Sequence, residues 1–382
     1  MKSPSNRATW LAVSAMFILN GALYGMWASR IPAAARLHGL NEADLGLLLL
    51  LLAGGAIAAF PLAGRFADRF GAAPVTLVIA VAYTIALCLI GLAPSVALLA
   101  IALFIFGATH GAMDVAMNTW AGEAEAHIAR PVMSSFHAMF SLGAGLGAAS
   151  GYGAERLDIG IAPHFIIGAI AILVVTGALA RIRWISPTRS SVSDTPLFPF
   201  PRGPLIAVGL IAFCSSMGEG AMVDWSALYL VDIAQVDGAS AALGYTVFSI
   251  AMVITRLLGD QVTHRLGPVP TARLAGAFAT AGTLCTIVFA SYGAVLVGFL
   301  LMGIGYAVIM PLAFSRAARD PHLPPGTAIA SVATLGYGGL LLGPPIIGFV
   351  AHATSLRAGF GVLAALALLM AALAHAVRRP AP

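Results

Sequence analysis

His110, Asp114 and Asn118 are the residues whose types and spacing carry the most chemistry. They sit in Gly107 to Asn118, G-A-T-H-G-A-M-D-V-A-M-N. A repeat of four places all three on nearly one face of a helix. The surrounding segment, Pro94 to Gly122, is apolar and long enough to cross a bilayer. An ionisable group at that depth is costly against hydrocarbon, so it is expected to face protein interior or a water-filled cavity. The chemistry open to such a carboxyl is proton exchange, because a carboxyl shielded from water holds its proton more tightly than one facing water. His110 is placed to tune or relay that proton, and His137 lies close in sequence to the same depth. The alternative is a structural acid that ties one helix to its neighbours. A His-x-x-x-Asp pair also suits a metal, but no further ligands converge in the sequence. Cys88, Cys214 and Cys285 all lie in apolar segments and suggest neither a disulfide nor a metal site. No metal and no cofactor is expected.

A second group of charges lies in S-M-G-E-G-A-M-V-D-W-S-A-L-Y. Glu219 and Asp224 are five positions apart, so helical geometry points them about 140° from each other. Glu219, between Gly218 and Gly220, lies nearer the middle of its segment and Asp224 nearer one end. Arg30 lies at a comparable outer depth in the first apolar segment, and an Arg30–Asp224 pair is the expected periplasmic gate. A buried ion pair is poor evidence for stability but a plausible switch. The competing reading has Arg30 reaching to the interface and Asp224 solvated. Asn20, Tyr24, Trp27, Trp225, Tyr229, Tyr245 and Tyr337 are polar or aromatic candidates near these charges, suited to sugars or amphipathic organics. Trp27, Trp225 and Tyr229 serve equally well as interfacial anchors. Arg256 reads as structural packing, with Glu219 or a loop acid as its partner.

The elements that position these residues follow from composition. Of 382 residues, 60% are hydrophobic and 9% are charged, where a soluble domain carries about 25% charged. Mean hydropathy is +0.94. The chain is therefore expected to be an all-α, polytopic membrane protein, and its net charge of +5 is no nucleic-acid signal because the arginines fall in short loops. Twelve spans are expected, at about 9–35, 43–67, 74–93, 95–122, 131–154, 161–184, 204–231, 239–263, 269–291, 293–317, 326–353 and 356–377. The first is too long, and lacks the small-residue cleavage site, to be a signal peptide. Ile185 to Gly203, rich in Pro and Ser, reads as a linker between two six-helix bundles, 1–184 and 204–382. Prolines at 61, 311 and 344–345 are expected to kink their helices. Most basic residues, among them Arg65, Arg69, Arg130, Arg181 and Arg265, fall on one side of the spans, and only Arg36, Arg156 and Arg357 on the other. The positive-inside rule then places both termini and the linker in the cytoplasm.

Two loops repeat between the halves. Gly64 to Gly71 reads G-R-F-A-D-R-F-G, and Gly259 to Gly267 reads G-D-Q-V-T-H-R-L-G. Glycines permit a tight turn and close helix approach, while Asp68 can accept from backbone N–H groups at a helix end. Repetition at half the chain length marks a duplicated transporter bundle. Over essentially its whole length the chain resembles the major facilitator superfamily, whose loop motif Gly64, Asp68, Arg69 and Gly71 match residue by residue. In the second copy His264 stands where the acid would be. The resemblance implies a central site near the bilayer midplane, alternating access by rocking of the two halves, and a cytoplasmic latch at the loop motif.

Within that family, M-D-V-A-M-N-T-W, R-P-V-M-S-S-F-H-A-M-F-S-L-G-A, N-G-A-L-Y-G-M-W-A-S-R-I-P and G-A-M-V-D-W-S-A-L-Y-L are similar to the fucose-permease-like branch and its YbjJ-like members. That resemblance implies proton coupling at Asp114 and solute contact at Asn118. The branch's second acid, four residues before Pro32, is Ala28 here, so sugar specificity does not transfer with it. The function expected is secondary active transport of a small organic solute across a bacterial inner membrane, driven by protons, by a lipid-embedded monomer with no nucleic-acid partner. Proton-antiport export of drugs or metabolites is the alternative. Nothing resembles an ATP-binding loop. An intramembrane enzyme would need a nucleophile that the sequence does not place near His110 and Asp114, and a non-transporting sensor would need an output domain.

Overall fold

The computed structural model describes residues 4–40, 42–188, 201–236 and 238–378. The chain is helical throughout. In order the helices are α1 (Asn6–His38), α2 (Glu42–Phe70), α3 (Ala72–Leu92), α4 (Val96–Ile128), α5 (Met133–Arg156), α6 (Ile161–Ala180), α7 (Pro204–Asp232), α8 (Gly238–Leu266), α9 (Pro268–Phe289), α10 (Tyr292–Ala307), α11 (Ile309–Ala317), α12 (Pro325–Ala353) and α13 (Leu356–Ala372). A 3₁₀ turn, Leu373–Val377, follows α13. Each expected span lies on one of these helices, with α10 and α11 sharing the tenth. Among the described residues, 11 spans are long and apolar enough to cross a membrane. The remaining one, α5, has 24 residues, and its Gly and Ser content dilutes the apolar signal without shortening the helix. Serine caps start several helices: the hydroxyls of Ser5, Ser95 and Ser355 accept from the N–H groups of Ala8, Leu98 and Ala358. Gly39 ends α1 at φ 61°, a left-handed cap.

Two compact units form. The first comprises Met1–Ala129, Phe136–Pro199 and His322–Ala330; the second comprises Arg130–Ser135, Phe200–Pro321 and Ser331–Pro382. The linker's residues 189–200 lie outside the described residues, as do Lys2 and Arg379.

In the first unit α4 is the central post. It packs against α1, α2 and α3, while α6 packs against α1 and α3. The α2–α4 contact depends on backbone approach. A Cβ on Gly107 would collide with the Leu52 carbonyl, and one on Gly111 with the Ala56 carbonyl. Small residues take this role where no water-driven force brings helices together. With α2 against that face, α4 turns His110 toward α1 and α3. From Met113 to Gly122 every α4 residue is buried, so the helix is enclosed by protein along this stretch.

In the second unit, Tyr229, Phe248, Phe299, Tyr306 and Phe360 lie in one apolar core, with α9 against α10 and α13, and α8 against α7 and α10. The tenth span breaks at Val308, between α10 and α11. Pro311 is the cause: it has no N–H to offer the carbonyl of Ala307, four residues before it, and its ring crowds that turn. Pro61 and Pro345 produce no such break, and α2 and α12 each remain a single helix.

The α2–α4 approach is tested by adding bulk. Gly111→Leu is expected to lower stability by about 1–3 kcal/mol through overpacking, read as a fall in the thermal unfolding midpoint. Gly54→Ala, where an added Cβ would have nothing within 4 Å, is expected to leave the midpoint in place.

Candidate functional site

Two polar groups meet along α4. In the first, His110 Nδ1 lies 3.0 Å from Asn20 Oδ1 on α1 and 3.0 Å from the Tyr83 hydroxyl on α3. An amide oxygen only accepts, so Nδ1 carries the ring proton and Nε2 is the basic nitrogen of the neutral imidazole. Tyr24 stacks on the same imidazole with centroids 5.0 Å apart. Tyr24 is 37% exposed, whereas Asn20 and Tyr83 are fully enclosed. His110 therefore has an enclosed side formed by α1 and α3 and an open side covered by a phenol ring.

One turn along, Asn118 Nδ2 donates to the Asp114 backbone carbonyl at 2.8 Å and to Asp114 Oδ1 at 3.1 Å. With its nitrogen committed to Asp114, the Asn118 amide presents its oxygen to His137 Nε2, 3.2 Å away on α5. His137 thus donates from Nε2, and a chain of donors runs His137 to Asn118 to Asp114. Asp114 is 9% exposed and Asn118 is wholly buried. Six residues expected to share a site are brought together here: Asn20, Tyr24, His110, Asp114, Asn118 and His137. Tyr83 joins them, and nothing in the apolar run of α3 singled it out.

Trp27 is placed otherwise. It is among the largest fully buried side chains and serves core packing. Arg30, 4% exposed, is held inside the first unit. It donates to the carbonyls of Gly151 at 3.4 Å and Ile159 at 2.9 Å, and pairs with Glu155 at 3.7 Å. Arg36 binds the same Glu155 at 2.6 Å. Asp224, the partner expected for Arg30, belongs to the second unit and is exposed.

In the second unit Glu219 on α7 meets Arg256 on α8. Nη2 lies 3.5 Å from Oε1 and 3.4 Å from Oε2. Arg256 Nε also donates to the Ala307 carbonyl at 3.2 Å, the acceptor that Pro311 leaves without its helical donor. Tyr245, Ser249, Arg256 and Asp260 recur at spacings of four, seven and four along α8, giving that helix a polar stripe. Tyr229 stands apart, its hydroxyl donating to the Thr286 carbonyl at 2.9 Å inside the core.

The loop motif acts as a helix cap. Asp68 Oδ1 accepts from Gly326 N–H at 2.8 Å, and Oδ2 from the N–H and hydroxyl of Thr327 at 2.9 and 2.7 Å. These donors open α12, where unpaired N–H groups and the helix dipole favour an anion. Gly64 permits the approach, since a Cβ there would meet the Gly326 carbonyl at 2.7 Å, and Gly71 turns the chain at φ 93°. Arg69 is exposed and lies over the Phe70 ring at 5.3 Å. In the second unit the same work falls to Asp260, whose oxygens accept from Ser134 N–H at 2.9 Å and Ser135 N–H at 2.8 Å at the start of α5. The acid missing at His264 is thus present one helical turn earlier. Another acid absent from the sequence expectations, Glu123, accepts from Trp184 Nε1 at 2.7 Å and Ser186 Oγ at 2.8 Å. Ser186 Oγ in turn accepts from Ala73 N–H at 3.0 Å, so the first residues after α6 are fastened to α3 and α4.

Comparison with known proteins places this architecture. Residues 8–323 match the Major Facilitator Superfamily. An uncharacterized transporter, y4wD, from Sinorhizobium fredii is 46% identical over 97% of this chain and 98% of its own length. An uncharacterized MFS-type transporter of Yersinia pestis is 38% identical over 95% of this chain and 94% of its own. Among solved structures, the E. coli fucose:proton symporter FucP superposes with a TM-score of 0.80 at 16% identity, covering 99% of this chain and 100% of that one. With its helices, its capped loop motif and these relatives in accord, the chain belongs to the Major Facilitator Superfamily and is a multi-pass secondary transporter.

Proposed function

We propose that the protein is a proton-coupled carrier of a small, hydrogen-bonding organic solute, of the fucose-permease-like branch, working by symport in a bacterial inner membrane with both termini in the cytoplasm. The observation that carries this reading is the Asp114 carboxyl on an enclosed stretch of α4, linked through Asn118 to His137. An acid so placed changes its proton affinity when water reaches it, which is the physical requirement for coupling. His110, held from α1 and α3, presents a basic nitrogen on the same helix face one turn away. Asn20, Tyr24 and Asn118 supply amide and phenol groups of the kind that bind hydroxylated solutes. The twofold recurrence of an acid capping a helix start, Asp68 on α12 and Asp260 on α5, supports gates at both loops. Arg30 with Asp224 remains the proposed gate at the opposite end.

Two outcomes test this reading. In proteoliposomes loaded with a pH-sensitive dye and challenged with hexoses, polyols and sugar acids, the wild type is expected to move protons together with one of these solutes. Asp114→Asn is expected to lose that proton movement while solute counterflow survives; proton movement that persists in the variant removes Asp114 from the coupling role. At the loops, hydrogen bonds to charged groups contribute about 1.5–3 kcal/mol each. Asp68→Ala and Asp260→Ala are accordingly expected to lower the thermal midpoint by similar amounts and His264→Ala to leave it unchanged, as measured on the purified carrier.

A further inference from the structure

The Arg256–Glu219 pair in the second unit, like Arg30–Glu155 in the first, joins a carbonyl-anchored, buried guanidinium to a more exposed acid through a long contact. The guanidinium is fixed without its acid, because Nε is anchored to the Ala307 carbonyl that Pro311 leaves open at the α10–α11 break. Its Nη2 edge meets both Glu219 oxygens at 3.4–3.5 Å. Charge-assisted N–H···O bonds usually close to about 2.7–2.9 Å, so the carboxylate is loosely held. Exposure is also lopsided: the Arg256 side chain is 10% accessible and that of Glu219 is 32%. An acid within a membrane span that is one-third accessible is not expected to face hydrocarbon. Tyr245 and Ser249 extend the stripe on α8 away from Arg256 and add hydroxyl groups to it.

We propose that Arg256 is an anion-reading residue of the carrier and that the transported solute bears a carboxylate, which takes the place of Glu219 on the guanidinium. In the absence of solute, Glu219 is a resident counter-ion of the buried guanidinium. When solute enters, its carboxylate pairs with Nη2 and the Glu219 side chain moves toward the side on which it is accessible. A fixed guanidinium with a replaceable partner selects for a planar anion, here a carboxylate. Calling the ligand a solute rests on the carrier reading above; the presence of an exchangeable carboxylate site on Arg256 does not.

Removing the resident acid provides the test. In purified Glu219→Gln, sodium formate is expected to raise the thermal midpoint by about 2–4 °C by refilling the empty place. Sodium chloride at equal concentration is expected to give less, the wild type to respond less than the variant, and Glu219→Gln combined with Arg256→Gln to lose the response. Glu219→Ala, which leaves more room, is read in the same way if the Gln variant does not fold. No formate response in either single variant overturns the proposal, as does a response that survives loss of Arg256. Equal stabilisation by chloride overturns the carboxylate class. Because the measurement needs no transport, a failed Asp114→Asn coupling experiment would leave its result standing.

Discussion

A charge inside an apolar bundle must be met by a named partner, and that constraint arranges most of what is distinctive here. Only 9% of residues are charged, and several of those buried within helices are bound to specific donors or acceptors. Arg30 is fixed by two backbone carbonyls and a glutamate, Arg256 by a carbonyl and a glutamate, and Asp68 by three donors at one helix start. Both arginines use backbone carbonyls as partners. A carbonyl inside a helix is normally occupied, so the chain has to release one. Pro311 releases that of Ala307, and the turn between α5 and α6 supplies that of Ile159, one of the two that Arg30 takes. Helix breaks and ends are therefore part of the electrostatic design and not only of the chain path.

Small residues set the second condition. Polar side chains on α4 can meet α1 and α3 only if the helix axes lie close enough, and Gly107 and Gly111 bring α4 onto α2 at backbone distance. The same stretch that carries His110 and Asp114 thus carries the residues that determine where the helix sits. Packing glycines and hydrogen-bonding side chains interleave within one twelve-residue segment at helical period.

Much of this was legible in the sequence because the bilayer imposes a strong pattern. Apolar runs of about 20 residues located the helices, and a spacing of four located His110, Asp114 and Asn118. What the pattern could not show was any partner chosen by tertiary geometry. Tyr83 is a single phenol in an otherwise apolar helix, and no local signal separates it from a core aromatic. Asp260 was overlooked because alignment of the two loops put His264 opposite Asp68. Helical geometry tolerates a shift of one turn, since residues four apart point the same way, but a positional comparison does not. Ser186 and Trp184 lie where Pro- and Ser-rich composition signals a linker, and only the position of Glu123 on α4 shows that the linker's first residues are fastened. Glu219 was named as one partner for Arg256, but the Ala307 carbonyl that anchors it is freed by a proline in another helix and leaves no local signal.

The lengths of the polar contacts separate two kinds of acid. Asp68 and Asp260 hold their helix starts through bonds of 2.7–2.9 Å from backbone and hydroxyl donors. Asp114 meets its side-chain donor at 3.1 Å and Glu219 meets Arg256 at 3.4–3.5 Å. Short charge-assisted bonds with several donors suit groups that must hold one position, because each lost bond leaves a desolvated charge. Longer contacts leave room for a change of partner, as proposed above for a proton at Asp114 and for a solute carboxylate that replaces Glu219 on Arg256. A carrier needs both kinds, since its scaffold must survive a cycle in which its working groups change partners. The division also follows backbone and side chain: the firm acids are bound mainly by main-chain N–H groups, which cannot rotate away, and the working acids by side chains, which can.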